Sequence, residues 1–189
     1  MNRPLRRKLE NLVLKYLDTN KTGTAFESIA IVTSGGTTLA DEVALDASTA
    51  VGDTEEPTTP FIAVAVSTNA DPHLPGVAQI EIVIHLKTDG TAEDKNRLQA
   101  DTIIRDLYNE MIRTLDDDNP FSDSNIEFSK LMTFANLPTI AAEDARQDYR
   151  RPLHVYDLWH TGSPSVNDGD FWHDQLVFEG TAQDMDSHA

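Results

Sequence analysis

Phe61-Ile-Ala-Val-Ala-Val-Ser67 and Val77-Ala-Gln-Ile-Glu-Ile-Val-Ile-His-Leu-Lys87, separated by Asn69-Ala-Asp-Pro-His-Leu-Pro-Gly76, decide how this chain folds. The first run is short, β-branched and almost uninterrupted, which predicts a strand covered on both faces. The second alternates strictly. Ile80, Ile82, Ile84 and Leu86 point one way, while Gln79, Glu81, Val83, His85 and Lys87 point the other. Between them, two prolines remove ladder donors and Gly76 permits an unusual φ, so the two strands are joined by a tight connection.

After Lys87-Thr-Asp-Gly90 the apolar period lengthens to that of a helix. Thr91 is placed to cap it, and Glu93 and Asp94 fall in the first turn, where carboxylates complement the exposed amides. Ala100, Ile103, Ile104, Leu107, Tyr108, Met111, Ile112 and Leu115 then hold one stripe, with Asp101 and Arg105 spaced for an i,i+4 pair on the other side. The helix is expected to end at Asp116-Asp-Asp-Asn-Pro120, because three carboxylates oppose the dipole at a C-terminus.

Upstream, Leu5, Leu9, Leu12, Val13, Tyr16 and Leu17 mark a first helix over residues 4–18, and Ser28 to Thr33 a short strand. Gly35 to Thr59 is small, acidic and turn-rich without Lys or Arg, and is expected to form a long loop. Downstream, residues 125–151 give no regular pattern. Leu153 to His160 and Phe171 to Glu179 read as a hairpin around Asn167-Asp-Gly169. The polar tail after Gly180 is expected to fray. By simple alternation, Leu153, Val155 and Trp159 share one face of the hairpin, and Tyr156 and Leu158 the other; Trp172, Leu176 and Phe178 oppose Phe171 and Val177. Large apolar groups on both faces mean that one helical layer leaves a second face to be covered, and a neighbouring subunit is the favoured cover. Val83, His85, Tyr156, Leu158, Phe171 and Val177 are the candidate interface residues.

A chain of 189 residues with 39% apolar content suits a single domain with a substantial core. No run reaches the roughly eighteen apolar residues of a membrane span, and no signal-peptide pattern opens the sequence. Without cysteine there are no disulfides, thiolate metal sites or cysteine nucleophiles. A net charge of −17 repels nucleic acid and anionic membranes, which argues against a sequence-specific nucleic-acid role. The exception is the basic start. Arg3, Arg6 and Arg7 sit where the helix dipole disfavours cations, and are candidate contacts for an acidic partner.

Chemistry is sparse. His154, His160 and His173, with Asp157 and Asp174, could approach a Zn²⁺ ion across the hairpin, but residues 154 and 157 differ in strand parity and no His-x-His spacing fixes a face. Ser34-Gly-Gly-Thr37 lacks the lysine of a phosphate loop, and no Gly-x-Ser-x-Gly elbow is present. Asp116-Asp-Asp118 and Asp168-Gly-Asp170 lack the oxygen spacing of a calcium loop. No catalytic, cofactor or metal residue is therefore assigned, and the chain is not expected to be an enzyme.

The order of elements is more telling than any motif. Pro60 to Val66, Pro75 to Leu86, the helix from Asp94 to Ile112, and His154 to Trp159 with Phe171 to Phe178 together resemble the tail terminator and tail-completion (neck) proteins of long-tailed bacteriophages. The resemblance covers about half the chain. It implies an α+β fold, a mixed, largely antiparallel β-sheet with two main helices packed on one face. It further implies a homo-oligomeric ring, typically a hexamer, that caps the tail tube, joins it to the head-connector proteins, and works without cofactor or catalysis in a virion assembled in the host cytoplasm. On that reading the acidic segment 35–59, a departure from the pattern, would line a lumen through which DNA passes. Another head–tail connector is the nearest rival, and a small metal-assisted hydrolase using the hairpin histidines a more distant one.

Overall fold

The computed structural model of the chain describes residues 5–33, 58–90, 94–111 and 153–184. Its elements are helix α1 (Leu5–Asn20), strands β1 (Ala30–Thr33), β2 (Phe61–Ala70) and β3 (Val77–Asp89), helix α2 (Asp94–Met111), and strands β4 (Leu153–Gly162), β5 (Ser165–Asn167) and β6 (Phe171–Asp184). The six strands form one sheet in the order β1-β2-β3-β6-β4, with β5 also paired to β6. Only β1 and β2 are parallel; the other pairs are antiparallel. This is the expected α+β class. The expectations for residues 35–57, the Thr91 cap, segment 125–151 and any lumen lie outside the described residues.

Alternation builds the core. Ile80, Ile82, Ile84 and Leu86 of β3 are all at most 3% exposed, beside Ile62, Val64 and Val66 of β2 and Leu176 and Phe178 of β6. Leu9, Val13, Tyr16 and Leu17 of α1 and Ala100, Ile103, Leu107 and Met111 of α2 close over them in one cluster. Burying a side chain of this size contributes about 1.5–3 kcal/mol, so this face dominates the folding energy. The two helices are also tied to each other and to the loop after α1. Tyr16 donates its hydroxyl proton to the Glu110 carbonyl at 2.7 Å, and Asp106 accepts from the Ala25 amide at 2.8 Å.

Four expectations need correction. First, β2 is not covered on both faces, since Ala63 and Ala65 are only half-buried. Second, the chain after Gly180 stays in the ladder: Thr181, Ala182 and Gln183 pair with Gln79, Ala78 and Val77 of β3. Third, β4 carries a register shift between Tyr156 and Trp159, where three steps on β4 match two on β6. The extra residue is a bulge, which resets the alternation. Leu158 thereby joins Val155 in the core at 1% exposure, and its assignment to a subunit interface is withdrawn. Fourth, Asp101 meets Arg97 at 3.5 Å, and Arg105 meets Asp106 at 3.7 Å, so the expected Asp101–Arg105 pair is replaced.

β1 and β2 are parallel neighbours from Ala30/Phe61 to Thr33/Val64. Where β1 ends, a side chain takes over. The buried Glu10 carboxylate accepts from the Val66 amide at 3.3 Å and from Arg6 Nε at 3.1 Å.

Candidate interaction surface

Among the described residues, the face of the sheet turned away from α1 and α2 is built by the odd-numbered residues of β3 and β6; Phe61 and Val32, on the same face of β2 and β1, are buried. The β3–β6 register sets Glu81 beside Glu179, Val83 beside Val177, His85 beside Gln175, Lys87 beside His173 and Asp89 beside Phe171. Ala63 and Ala65 flank them on β2, Trp159 lies beside Glu179 on β4, and Val166 lies beside His173 on β5. Trp159 is 52% exposed and Val166 60%. Of the interface candidates, Val83, His85, Phe171 and Val177 are half-buried on this face. Tyr156 pairs through its backbone with Thr181; its side chain lies outside the described residues.

The face is divided electrically. At one end Glu81 and Glu179 are exposed direct cross-strand partners, an arrangement of like charges that destabilises the pair. At the other end Lys87 lies among rings, with Asp89 and Asp168 beside it. Lys87 Nζ lies 4.2 Å from the Phe171 ring centroid and 5.6 Å from that of Phe61, within cation–π range. His85 Nε2 is 3.0 Å from His173 Nδ1, and His173 Nε2 is 2.9 Å from Asp168 Oδ2. The Asp168 carboxyl is held down at about 2, chiefly by the Phe171 amide and then by His173, with the Asp170 amide adding to it. It is therefore ionised near neutrality and calls for the proton on His173 Nε2, leaving Nδ1 to accept from His85.

Behind this end, on the helix face, lies a second charged cluster. Asp174 is 4% exposed and receives both Arg97 Nη groups at 2.6 Å and Ser165 Oγ at 2.5 Å. Burial acts to raise its pKa, but the hydrogen bonds and charge of Arg97 outweigh it and the net shift is downward. Arg97 is raised by the same hydrogen bond and lies 4.4 Å over the Trp172 ring. Nothing in this closed pair reaches a substrate. It fastens α2 to β6.

Of the described hairpin side chains, His160, His173 and Asp174 do not converge. His173 is on the open face, Asp174 is on the helix face, and His160 packs edge-on to Tyr108 with its Nε2 2.8 Å from Ser163 Oγ. The His154 and Asp157 side chains lie outside the described residues. Among the described residues no group of three or more His, Cys, Asp and Glu is disposed to hold a metal. A cavity of about 220 Å³ lined by Thr59, Thr88, Asp89, Gln99 and Ile103 is smaller than the roughly 300–1,000 Å³ of ordinary ligand pockets.

Arg6 is committed to Glu10, Arg7 lies on the same turn of α1, and Arg3 is outside the described residues. No described helix is long and apolar enough to cross a membrane. The contact of His85 with His173 was invisible in the sequence, because the two are 88 residues apart. The alternation of both strands was its only advance signal.

No family model matches the chain, and no curated protein matches it in sequence. Among solved structures, a chain of a "Virion of native gene transfer agent (GTA) particle" is similar over 93% of this chain and 94% of its own, at 14% identity and a TM-score of 0.43. At those values the likeness carries no argument about function.

Proposed function

We propose that this chain is a structural protein of a tailed phage-like virion, a tail terminator or tail-completion subunit that forms a ring, caps the tail tube and joins it to the head connector. It works there by contact and not by catalysis, assembled in the host cytoplasm and retained in the particle. One observation supports this reading above the rest: a sheet closed by helices on one face and left half-buried on the other, with Val83, His85, Phe171 and Val177 in the middle and exposed Trp159 and Val166 at the rim. Half-buried aromatic and aliphatic groups among charges are the composition of protein interfaces. The element order that resembles tail terminators folds into the sheet-and-helix arrangement that the resemblance implies.

In this proposal the open face contributes the homotypic contact, six copies closing the ring, and Arg3, Arg6 and Arg7 contact an acidic neighbouring protein. The test is loss of the gene in a host that makes the particles. Unjoined heads and tail tubes of uncontrolled length are expected under the electron microscope. Joined particles of normal tail length would overturn the proposal, and arrest with correct tails but leaking heads would move the chain to another connector position.

A further inference from the structure

We propose that the end of the sheet carrying Trp159, Glu179 and Glu81 receives an arginine side chain presented by a different protein. Strand order places the three in one row. Trp159 of β4 pairs with Glu179 of β6, and Glu179 pairs with Glu81 of β3. Neighbouring strands lie about 4.8 Å apart, so the row spans roughly 10 Å. All three side chains are exposed, Trp159 by 52%. The direction of the indole follows from its neighbours. Leu158 is in the core and His160 packs edge-on to Tyr108 of α2, so Trp159 between them turns to the face that carries Glu179.

The molecule itself contains an example of what such a set holds. On the helix face Arg97 lies 4.4 Å over the Trp172 ring and gives both Nη groups to the Asp174 carboxylate at 2.6 Å. One guanidinium there satisfies an indole and an acid together, by a cation–π contact with the ring and a charge-assisted fork to the carboxylate. Trp159 and Glu179 repeat the indole and the acid at cross-strand distance, with Glu81 as a second acceptor. What the row lacks is the guanidinium. Among the described residues neither glutamate meets a cation, and no cation lies over the Trp159 ring.

The chain's own described cations do not supply one. The six strands hold one lysine, Lys87, and no arginine. Lys87 is six residues from Glu81 along β3, roughly 20 Å, which is beyond the ~8–10 Å over which exposed charges act at physiological salt. Arg6, Arg97 and Arg105 each meet a carboxylate of this chain. The donor is therefore foreign.

Leaving the row unfilled is unfavourable for the fold itself. Glu81 and Glu179 face each other directly across the ladder, where like charges destabilise a sheet. A local rule broken without compensation inside the chain marks a surface kept for another purpose. Arginine suits it better than lysine, because a planar fork reaches the acids while its face stacks on the indole, and an ammonium is only a point charge. The next row inward, Val83 beside Val177, offers the arginine's methylene stem an apolar floor. The inference rests on the reading of this face as a contact surface, and names the chemistry that its acidic end takes.

The experiment is an NMR titration of the purified chain at constant ionic strength with N-acetyl-arginine methylamide, its neutral counterpart N-acetyl-citrulline methylamide, and N-acetyl-lysine methylamide. The two indole N–H signals are assigned through Trp159→Phe. The arginine probe is expected to shift the Trp159 signal saturably, with a midpoint on the order of 10 mM, and to leave in place that of Trp172, whose ring Arg97 covers. The lysine probe is expected to bind about threefold more weakly or worse, and the citrulline probe not to saturate. Glu81→Gln combined with Glu179→Gln is expected to weaken the arginine probe by about fivefold or more, and Trp159→Ala by about threefold. Removing both charges also relieves their repulsion, so the double variant is expected to unfold no earlier than wild type, and its loss of binding is not a folding defect.

No saturable shift, an equal response to citrulline, an equal response at Trp172, or a double variant that binds like wild type would each overturn the proposal. Equal affinity for the lysine probe would overturn the assignment to arginine. If the double variant lowered self-association of the chain in sedimentation equilibrium, the arginine would belong to a second copy, and the assignment to a different protein would fall. None of these results bears on the ring reading, which the particles left by gene loss test separately.

Discussion

Phe178 and Val177 are neighbours in β6 and belong to different worlds. Phe178 is fully buried against β3, with the His160 ring 5.5 Å away, whereas Val177 lies half-buried beside Val83 on the face turned away from α1 and α2. The same contrast holds for two carboxylates nearby. Asp174 is buried in a bidentate bond to Arg97, while Asp168 sits at the surface and holds a turn and a histidine. Among the described residues, one face of the sheet is packed by α1 and α2, while on the other Val83, His85, Phe171 and Val177 are half-buried. What differs is the kind of work, since folding free energy is concentrated behind the sheet and recognition in front.

Substitutions can separate these roles. The largest effect is expected from Phe178→Ala, at about 3–5 kcal/mol of unfolding free energy by denaturant titration; a value near 1 kcal/mol would mean that the two faces are energetically alike. Asp174→Ala follows at roughly 2–4 kcal/mol, since it strands Arg97 and frees α2 from β6. Its signature is faster amide exchange in α2, which an unrelated destabilisation would not single out.

Gly90→Ala comes next. A Cβ there would lie 2.5 Å from the Asp170 carbonyl carbon and the Phe171 amide nitrogen, both backbone atoms that cannot swing aside. The Gly90 amide also donates to the Asp170 carbonyl at 2.8 Å, so the clash and the bond compete. A loss of about 1–3 kcal/mol is expected, with local shifts in the 167–171 turn by NMR.

Acidification sharpens the comparison further. Asp168 has its pKa lowered from 3.8 to about 2. Its contribution to stability is therefore present above pH 3.8 and fades as the pH falls toward 2. The Asp174 pKa is lowered too, so its contribution fades in the same direction. The stability gap between wild type and Asp168→Asn, read from thermal midpoints, is expected to narrow as the pH drops from 5 to 2. A constant gap would remove the carboxylate from the argument. The smallest folding effect belongs to Val177→Ala, at about 1 kcal/mol or less. Its larger consequence is expected in self-association.

Much of the architecture was legible in advance, and for identifiable reasons. β3 alternates strictly over Ile80, Ile82, Ile84 and Leu86, and a strand with one buried side has no other stable register. The stripe through Ala100, Ile103 and Leu107 marked α2 in the same way. The errors arose where alternation alone does not govern. The bulge before Trp159 moved Leu158 into the core, and no local residue type announces a bulge in Tyr-Asp-Leu-Trp. The extension of β6 to Asp184 escaped because Thr181-Ala-Gln-Asp184 is weakly apolar. It is strand because β3 and β4 lie on either side of it to take its hydrogen bonds.

By itself, then, the sequence determined the strand–strand–helix unit, the class of the fold and the presence of a second apolar face, because periodicity is local and each residue carries its own hydrophobicity. Only the tertiary structure decided which carboxylates and imidazoles meet. Lys87 reaches Phe171, His85 reaches His173, and Arg97 reaches Asp174 across more than 70 residues of chain. Charge pairing depends on register between strands that are distant in sequence, and register is fixed by how the whole apolar face packs, not by the residues whose charges it brings together.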